Sequence, residues 1–184
     1  MNYAKIKKHD IANGPGVRAS LYVSGCTHGC KGCFNREAWD FNYGKPWTKE
    51  VEDDFIEHLK NPNIVGVNIL GGEPLQQDKT LFYLLNRIRK EVDKPIWLWT
   101  GYTIENIVNT DKITTDFLLK NKILNLCDVV IDGKFLEAEK DLSLKYRGSR
   151  NQRVIDMKES LRAAGLTFGH AILNSDTIVE LEGC

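Results

Sequence analysis

Four short apolar runs punctuate the chain: "VRASLYVSG" (17–25), "NIVGVNIL" (63–70), "PIWLWT" (95–100) and "CDVVID" (127–132). The first reads as a strand from its alternation and β-branched residues. The other three are dense enough for strands buried on both faces of a parallel sheet. Helical stripes lie between them. "TKEVEDDFIEHLK" (48–60) puts Val51, Phe55, Ile56 and Leu59 on one face, with Thr48 as N-cap. "TLFYLLNRIRKEV" (80–92) does the same with Leu81, Leu84, Leu85, Ile88 and Val92. Further helices are expected over 114–125 and 156–165, the second stopped by Gly165. This alternation predicts an α/β fold with a mainly parallel sheet, open or partly closed into a barrel. A full barrel of eight βα units takes about 250 residues, so 184 residues predict an incomplete one. The length fits a single domain, 1–184. The N-terminal "YAKIKKHDI" is expected to pair as an edge with the first core strand.

The charge balance narrows the function classes. Lys plus Arg total 25 and Asp plus Glu total 25, which gives no electrostatic case for nucleic acid or an anionic membrane as partner. No apolar run is long enough to span a bilayer, and "MNYAKIKKHD" lacks the apolar core of a signal peptide. A cytoplasmic location is expected. Reduced thiols go with that compartment, so the five cysteines do not predict a disulfide framework. Cys127 reads as a small buried side chain and Cys184 as an exposed terminal thiol.

The text at the strand ends is unusual. "SGCTHGCKGCFN" (24–35) follows the first core strand and carries Cys26, Cys30 and Cys33. "GGEP" (71–74), "TGY" (100–102) and "DGK" (132–134) follow or close the next three. In parallel α/β sheets ligands bind at the carboxyl ends of strands, so four such motifs predict one shared site. Three clustered thiols leave a metal centre one ligand short. His28 makes a Cys3His zinc site arithmetically possible, but it lies in a tight loop between two of the cysteines, and it reads as a solvated loop residue. Three thiolates on a cubane iron–sulfur cluster would leave one iron open, as catalytic metal sites do.

The spacing C-x3-C-x2-C, with aromatic Phe34 directly after Cys33, resembles the radical S-adenosylmethionine (SAM) superfamily. The resemblance implies a [4Fe–4S] cluster on Cys26, Cys30 and Cys33, with SAM chelated at the open iron. "GGEP" resembles the glycine-rich SAM motif, which implies SAM contacts from Gly71, Gly72 and Glu73, with Glu73 accepting from the methionine ammonium. Asn35 matches the "C-aromatic-N" text of the same enzymes, and Asp132 and Lys134 match their Asp-x-Lys. On a continuing strand Asp132 and Lys134 would point to one side. Thr100 is a further candidate for a polar SAM contact, while Trp97 and Trp99 read as core.

"NGPGVR" (13–18) resembles the stretch before the cysteines in activases of glycyl-radical enzymes. With the short length, "WTGY", "DGKF" and "YRGSRNQRVID", the family resembled is that of the anaerobic ribonucleoside-triphosphate reductase activases. The implied activity is generation of a glycyl radical on the large reductase subunit, fed by an electron donor such as flavodoxin. No general acid, base or triad is implied, since cluster and SAM carry the chemistry. Rival readings remain: an activase of the pyruvate formate-lyase type, a small-molecule radical SAM enzyme, or a non-catalytic Fe–S or zinc module. Arg18 is either a structural anchor or a contact to partner or site. The basic run "KYRGSRNQR" (145–153) reads as a solvated loop, with partner docking through Arg147, Arg150 and Arg153 as the alternative.

Overall fold

The computed structural model describes residues 1–108, 113–165 and 175–183. Among the described residues seven strands form one open sheet: β1 (Asn2–Asp10), β2 (Arg18–Val23), β3 (Lys45–Pro46), β4 (Gly66–Gly71), β5 (Ile96–Trp99), β6 (Val129–Asp132) and β7 (Arg153–Asp156). Their order is β3-β1-β2-β4-β5-β6-β7. The helices are α1 (Lys49–Leu59), α2 (Lys79–Glu91), α3 (Ile104–Val108), α4 (Thr115–Leu124) and α5 (Met157–Ala163). Among the described residues no helix is long and apolar enough to cross a membrane.

The sheet is mixed, which corrects the expectation of a mainly parallel one. β2, β4, β5 and β6 run parallel, whereas β1, β3 and β7 join antiparallel at the flanks. The reason lies in the connections. Parallel neighbours need a crossover, and α1, α2, and α3 with α4 provide three. β1 reaches β2 through a short turn in which Gly14 and Gly16 have φ of 101° and 73°. Between β6 and β7 the chain has only a 3-10 turn (Glu137–Glu139) and no α-helix, and it returns antiparallel, in a strand the sequence pattern does not predict. β1 pairs with β2 as expected but is not the edge, because β3 lies outside it.

Strand periodicity sorts the two faces. Ala19, Leu21, Val23, Val67, Ile69, Ile96, Leu98 and Val130 point to the helices. There they meet Phe55, Ile56 and Leu59 of α1 and Leu81, Leu84, Leu85 and Ile88 of α2, the stripes legible in the sequence. Val51 and Val92 pack at the margin of this core. Thr48, Asp78, Thr114 and Asp156 cap helices with side-chain oxygens, the roles their residue types favour. Gly165 follows α5 at φ 67°. Cys127 is fully buried, and its thiol meets the Ile123 carbonyl.

The opposite face combines an aromatic group with buried polar residues. Trp97 packs with Val129, Ile131 and Val154, and Trp99 lies at the margin. Arg18 is 2% exposed and is the anchor of the "NGPGVR" turn. Its guanidinium donates to Asn68 Oδ1 (2.6 Å) and to the Val67 and Pro95 carbonyls (both 3.0 Å), and stacks on Trp97 at 5.1 Å. Burial pulls it down to about 10. Asn68 also donates to the Asn13 carbonyl (2.6 Å), and Asp10 accepts from Ser20, Asn13 and the Ala12 N–H.

Asp128, 7% exposed, ties strands to helices by accepting from the Ile96 N–H (2.7 Å) and pairing with Arg89 and Lys158. Burial alone would raise its pKa, but Lys158, the Ile96 N–H and Arg89 together hold it below the usual carboxylate value. A depressed carboxylate contributes stability above its unfolded value of about 3.9 and loses it as pH falls through the folded value. Asp128→Asn should therefore lower the urea midpoint at pH 7, and the gap to the unsubstituted protein should narrow as pH is taken below about 4. Urea titrations at a series of pH values test this.

Candidate functional site

The carboxyl ends of β2, β4, β5 and β6 border one cavity of about 400 Å³. Cys26, Cys30, Cys33, Phe34 and Asn35 line it from the loop after β2; Gly71, Gly72 and Glu73 line it from the end of β4; Trp99, Thr100 and Gly101 line it from the end of β5. Gly133 and Phe135 contribute from beyond β6. The motifs expected to converge do meet, apart from the side chains of Asp132 and Lys134.

Asp132 is fully buried on the helix side of β6, because Val129 and Ile131 take the other face. Its carboxylate accepts from the Ile104 N–H at 2.9 Å and pairs with Arg153, which also pairs with Glu105. The side chains of Asp132 and Arg153 hold each other, so Arg153 is no solvated loop residue. The continuing strand expected through Lys134 does not form. β6 ends at Asp132, and Gly133, at φ 95°, turns the chain. Lys134 is exposed, though its charge reaches Cys30. Of the other two arginines, Arg150 is exposed and pairs with Asp141 at 3.0 Å, while Arg147 lines the cavity and donates to the Gln152 carbonyl (3.0 Å).

Backbone contacts fix the cysteine loop at its root. Gly25 N donates to the Ala38 carbonyl (2.8 Å), Cys26 N to Trp39 (3.1 Å) and Glu73 N to Gly25 (2.8 Å). A Cβ on Gly72 would lie 2.5 Å from the Gly25 oxygen and 2.9 Å from that of Ala38. Gly72 is therefore required by close backbone approach. Gln76 clamps the loop with a reciprocal pair, accepting from Thr27 N and donating to Thr27 Oγ1 (both 2.9 Å), and Gln77 donates to the Ser24 carbonyl (3.0 Å). Sequence reasoning stopped at "GGEP" and missed these two glutamines. The following "LQQ" carried no motif to mark them. Trp99, read as core, borders the cavity and donates to the Tyr146 carbonyl at 2.7 Å. Asn35 makes no side-chain cap on the 3-10 turn that follows it.

The three thiols are half-buried. Burial pushes Cys26 and Cys30 up, and neighbouring thiols add to the shift; the His28 N–H at Cys26 and the charge of Lys134 at Cys30 oppose it. Three soft sulfur donors on one cavity wall suit an iron–sulfur centre, which would relieve the crowding of thiolate charge. Among the described residues, no three His, Cys, Asp or Glu groups converge on a single-ion position. His28 corrects the reading of a solvated loop residue. Its side chain is 8% exposed, its Nε2 lies 2.9 Å from Glu73 Oε2, and its ring packs edge-on against Tyr102 at 4.6 Å. It faces a carboxylate, away from a Cys3His arrangement.

Residues 12–155 match the family of 4Fe-4S single cluster domains. The anaerobic ribonucleoside-triphosphate reductase-activating protein of Escherichia coli is 42% identical over 159 residues, covering 84% of this chain and 97% of that protein. That of Pasteurella multocida is 41% identical over 157 residues (83% and 95%), and that of Vibrio cholerae 38% over 157 (83% and 96%). The chain belongs to this family of activating proteins. The matched cluster domain includes Cys26, Cys30, Cys33 and the glycine motif of β4.

Two substitutions test the architecture. Gly72→Ala should lower the iron retained per chain after anaerobic reconstitution severalfold while far-UV circular dichroism keeps its shape. Asp132→Ala leaves the buried Ile104 N–H without its acceptor while Arg153 keeps its bidentate pair with Glu105, and should cost about 1–3 kcal/mol in chemical unfolding.

Proposed function

We propose that this chain is a radical SAM activase that generates the glycyl radical of an anaerobic ribonucleoside-triphosphate reductase. The observation that carries the reading is the meeting of Cys26, Cys30 and Cys33 with Gly71, Gly72 and Glu73 on one cavity, in a chain that matches the named activating proteins over nearly their whole length. The open α/β sheet serves as an incomplete barrel of the radical SAM type, within a single domain spanning 1–184. When bound, a [4Fe–4S] cluster and SAM supply reductive cleavage to methionine and a 5′-deoxyadenosyl radical, which takes a hydrogen from a glycine of the large reductase subunit.

The chain's own residues hold, orient and shield. Cys26, Cys30 and Cys33 would hold the cluster, three thiolates for a centre that usually takes four. Gly71 and Gly72 let the β4 backbone approach SAM closely, and Glu73 receives its ammonium. Thr100 and Asn35 offer polar contacts, and Phe34 an apolar one. Lys134 supplies positive charge at the cysteine loop. Asp132 acts by fixing the end of β6 through Arg153 and α3, the part its burial supports. The partner glycine enters at the carboxyl ends of the strands, where Phe34 and Leu136 stand exposed. The location is cytoplasmic, and a flavodoxin-like protein delivers the electron.

The test is anaerobic. Protein reconstituted with iron and sulfide, given SAM and dithionite, should release 5′-deoxyadenosine, and adding the reductase should produce a glycyl-radical electron paramagnetic resonance doublet. Cys26→Ala, Cys30→Ala and Cys33→Ala should each lower both at least a hundredfold. Release of the nucleoside without a radical on the reductase would point to another glycyl-radical partner. No release from fully loaded protein would favour an electron-transfer cluster.

A further inference from the structure

The Glu73 carboxylate is already full. It is 1% exposed and meets four donors. Oε1 accepts from Leu75 N (2.9 Å) and Thr100 Oγ1 (2.8 Å); Oε2 accepts from Gly101 N (2.7 Å) and meets His28 Nε2 (2.9 Å). A carboxylate only accepts, so Nε2 carries the proton in this contact. Two oxygens offer about four lone-pair sites, so nothing remains for an incoming ammonium. One donor has to leave before a ligand cation can bind here.

The four donors differ in what it takes to move them. Leu75 N and Gly101 N are main chain, the first in the 3-10 turn after β4 and the second just past β5. Thr100 is 4% exposed at the end of β5, and its Oγ1 also accepts from Tyr102 N (3.1 Å). His28 alone belongs to the cysteine loop, between Cys26 and Cys30. Its berth is shaped for it: a Cβ on Gly101 would lie 2.4 Å from the ring's Cδ2, and Tyr102 packs against the ring edge-on. His28 stands two residues from each of these cysteines, so a shift of the loop that carries them also shifts the ring.

We propose that His28 is an internal occupant of the ammonium site, which holds Glu73 closed to SAM until the cysteine loop is drawn around its cluster. The inference rests on the SAM reading above. It turns the loop into an ordering device, in which cofactor loading withdraws His28 and SAM follows. A protein without its cluster is then kept from binding SAM unproductively, and the buried carboxylate keeps its fourth donor until a ligand cation replaces it.

Equilibrium dialysis of radiolabelled SAM tests this on the full-length chain, metal-free and cluster-loaded. Loaded unsubstituted protein should bind SAM at least tenfold more tightly than metal-free protein. His28→Ala should bind SAM at least fivefold more tightly than the unsubstituted chain when both are metal-free, and within twofold of it when both are loaded. Gly101→Ala, which displaces the ring without removing it, should shift metal-free binding the same way. Equal metal-free affinities of the three proteins would overturn the inference, as would weaker SAM binding by loaded His28→Ala, which would make His28 a direct contact to SAM. Loaded unsubstituted protein that binds no SAM would overturn the SAM reading and this inference with it.

Discussion

A single buried carboxylate joins the ends of three neighbouring strands. Glu73 leaves β4, receives main-chain and hydroxyl donors from the end of β5, and meets an imidazole from the loop after β2. Each contact is short, and the group is shielded from water, so the low local dielectric strengthens every one of them. The glycines before it are needed to put it there. Gly71, at φ 118°, lies against the Val23 backbone, and Gly72 against that of Gly25. The mouth of the site is therefore a packed polar junction as much as a cavity.

Much of this could be read from the sequence. The four core strands and the apolar stripes of α1 and α2 follow from periodicity, because each buries one face against the same core. The strand-end rule brings the cysteines, the glycines and Thr100 to one place. Spacing could not show orientation. Asp132 and Lys134 are two residues apart, yet Gly133 turns the chain between them and Asp132 follows Val130 onto the helix side. β7 escaped notice because four residues, "RVID", embedded in a polar stretch, carry too little pattern. The glutamines after "GGEP" act through side-chain contacts to a loop some fifty residues earlier, which no local pattern encodes.

The two faces of the sheet divide the labour. The helix face is apolar and close-packed, the usual source of stability. The other face has a cation, two amides and a carboxylate beneath a glycine-proline turn, all hydrogen-bonded. Arg18 has no carboxylate within hydrogen-bond reach among its described contacts and relies on carbonyls, Asn68 and the Trp97 ring. Such a network tolerates little change, since losing one member strands the others in a dry interior. It fixes the turn that brings Ala12 and Asn13 to the cavity wall.

The burial of Cys127 has a consequence for assembly. Its thiol is enclosed by the helix core, and burial pushes it far above the ordinary thiol range. Thiolate is the form that captures iron or attacks sulfur. Cys127 is thus silent at neutral pH, whereas Cys26, Cys30 and Cys33 stand where solvent reaches them. Packing has sorted these four thiols by reactivity before any cofactor arrives, so iron and sulfide delivered to the folded chain meet no competing ligand in its core.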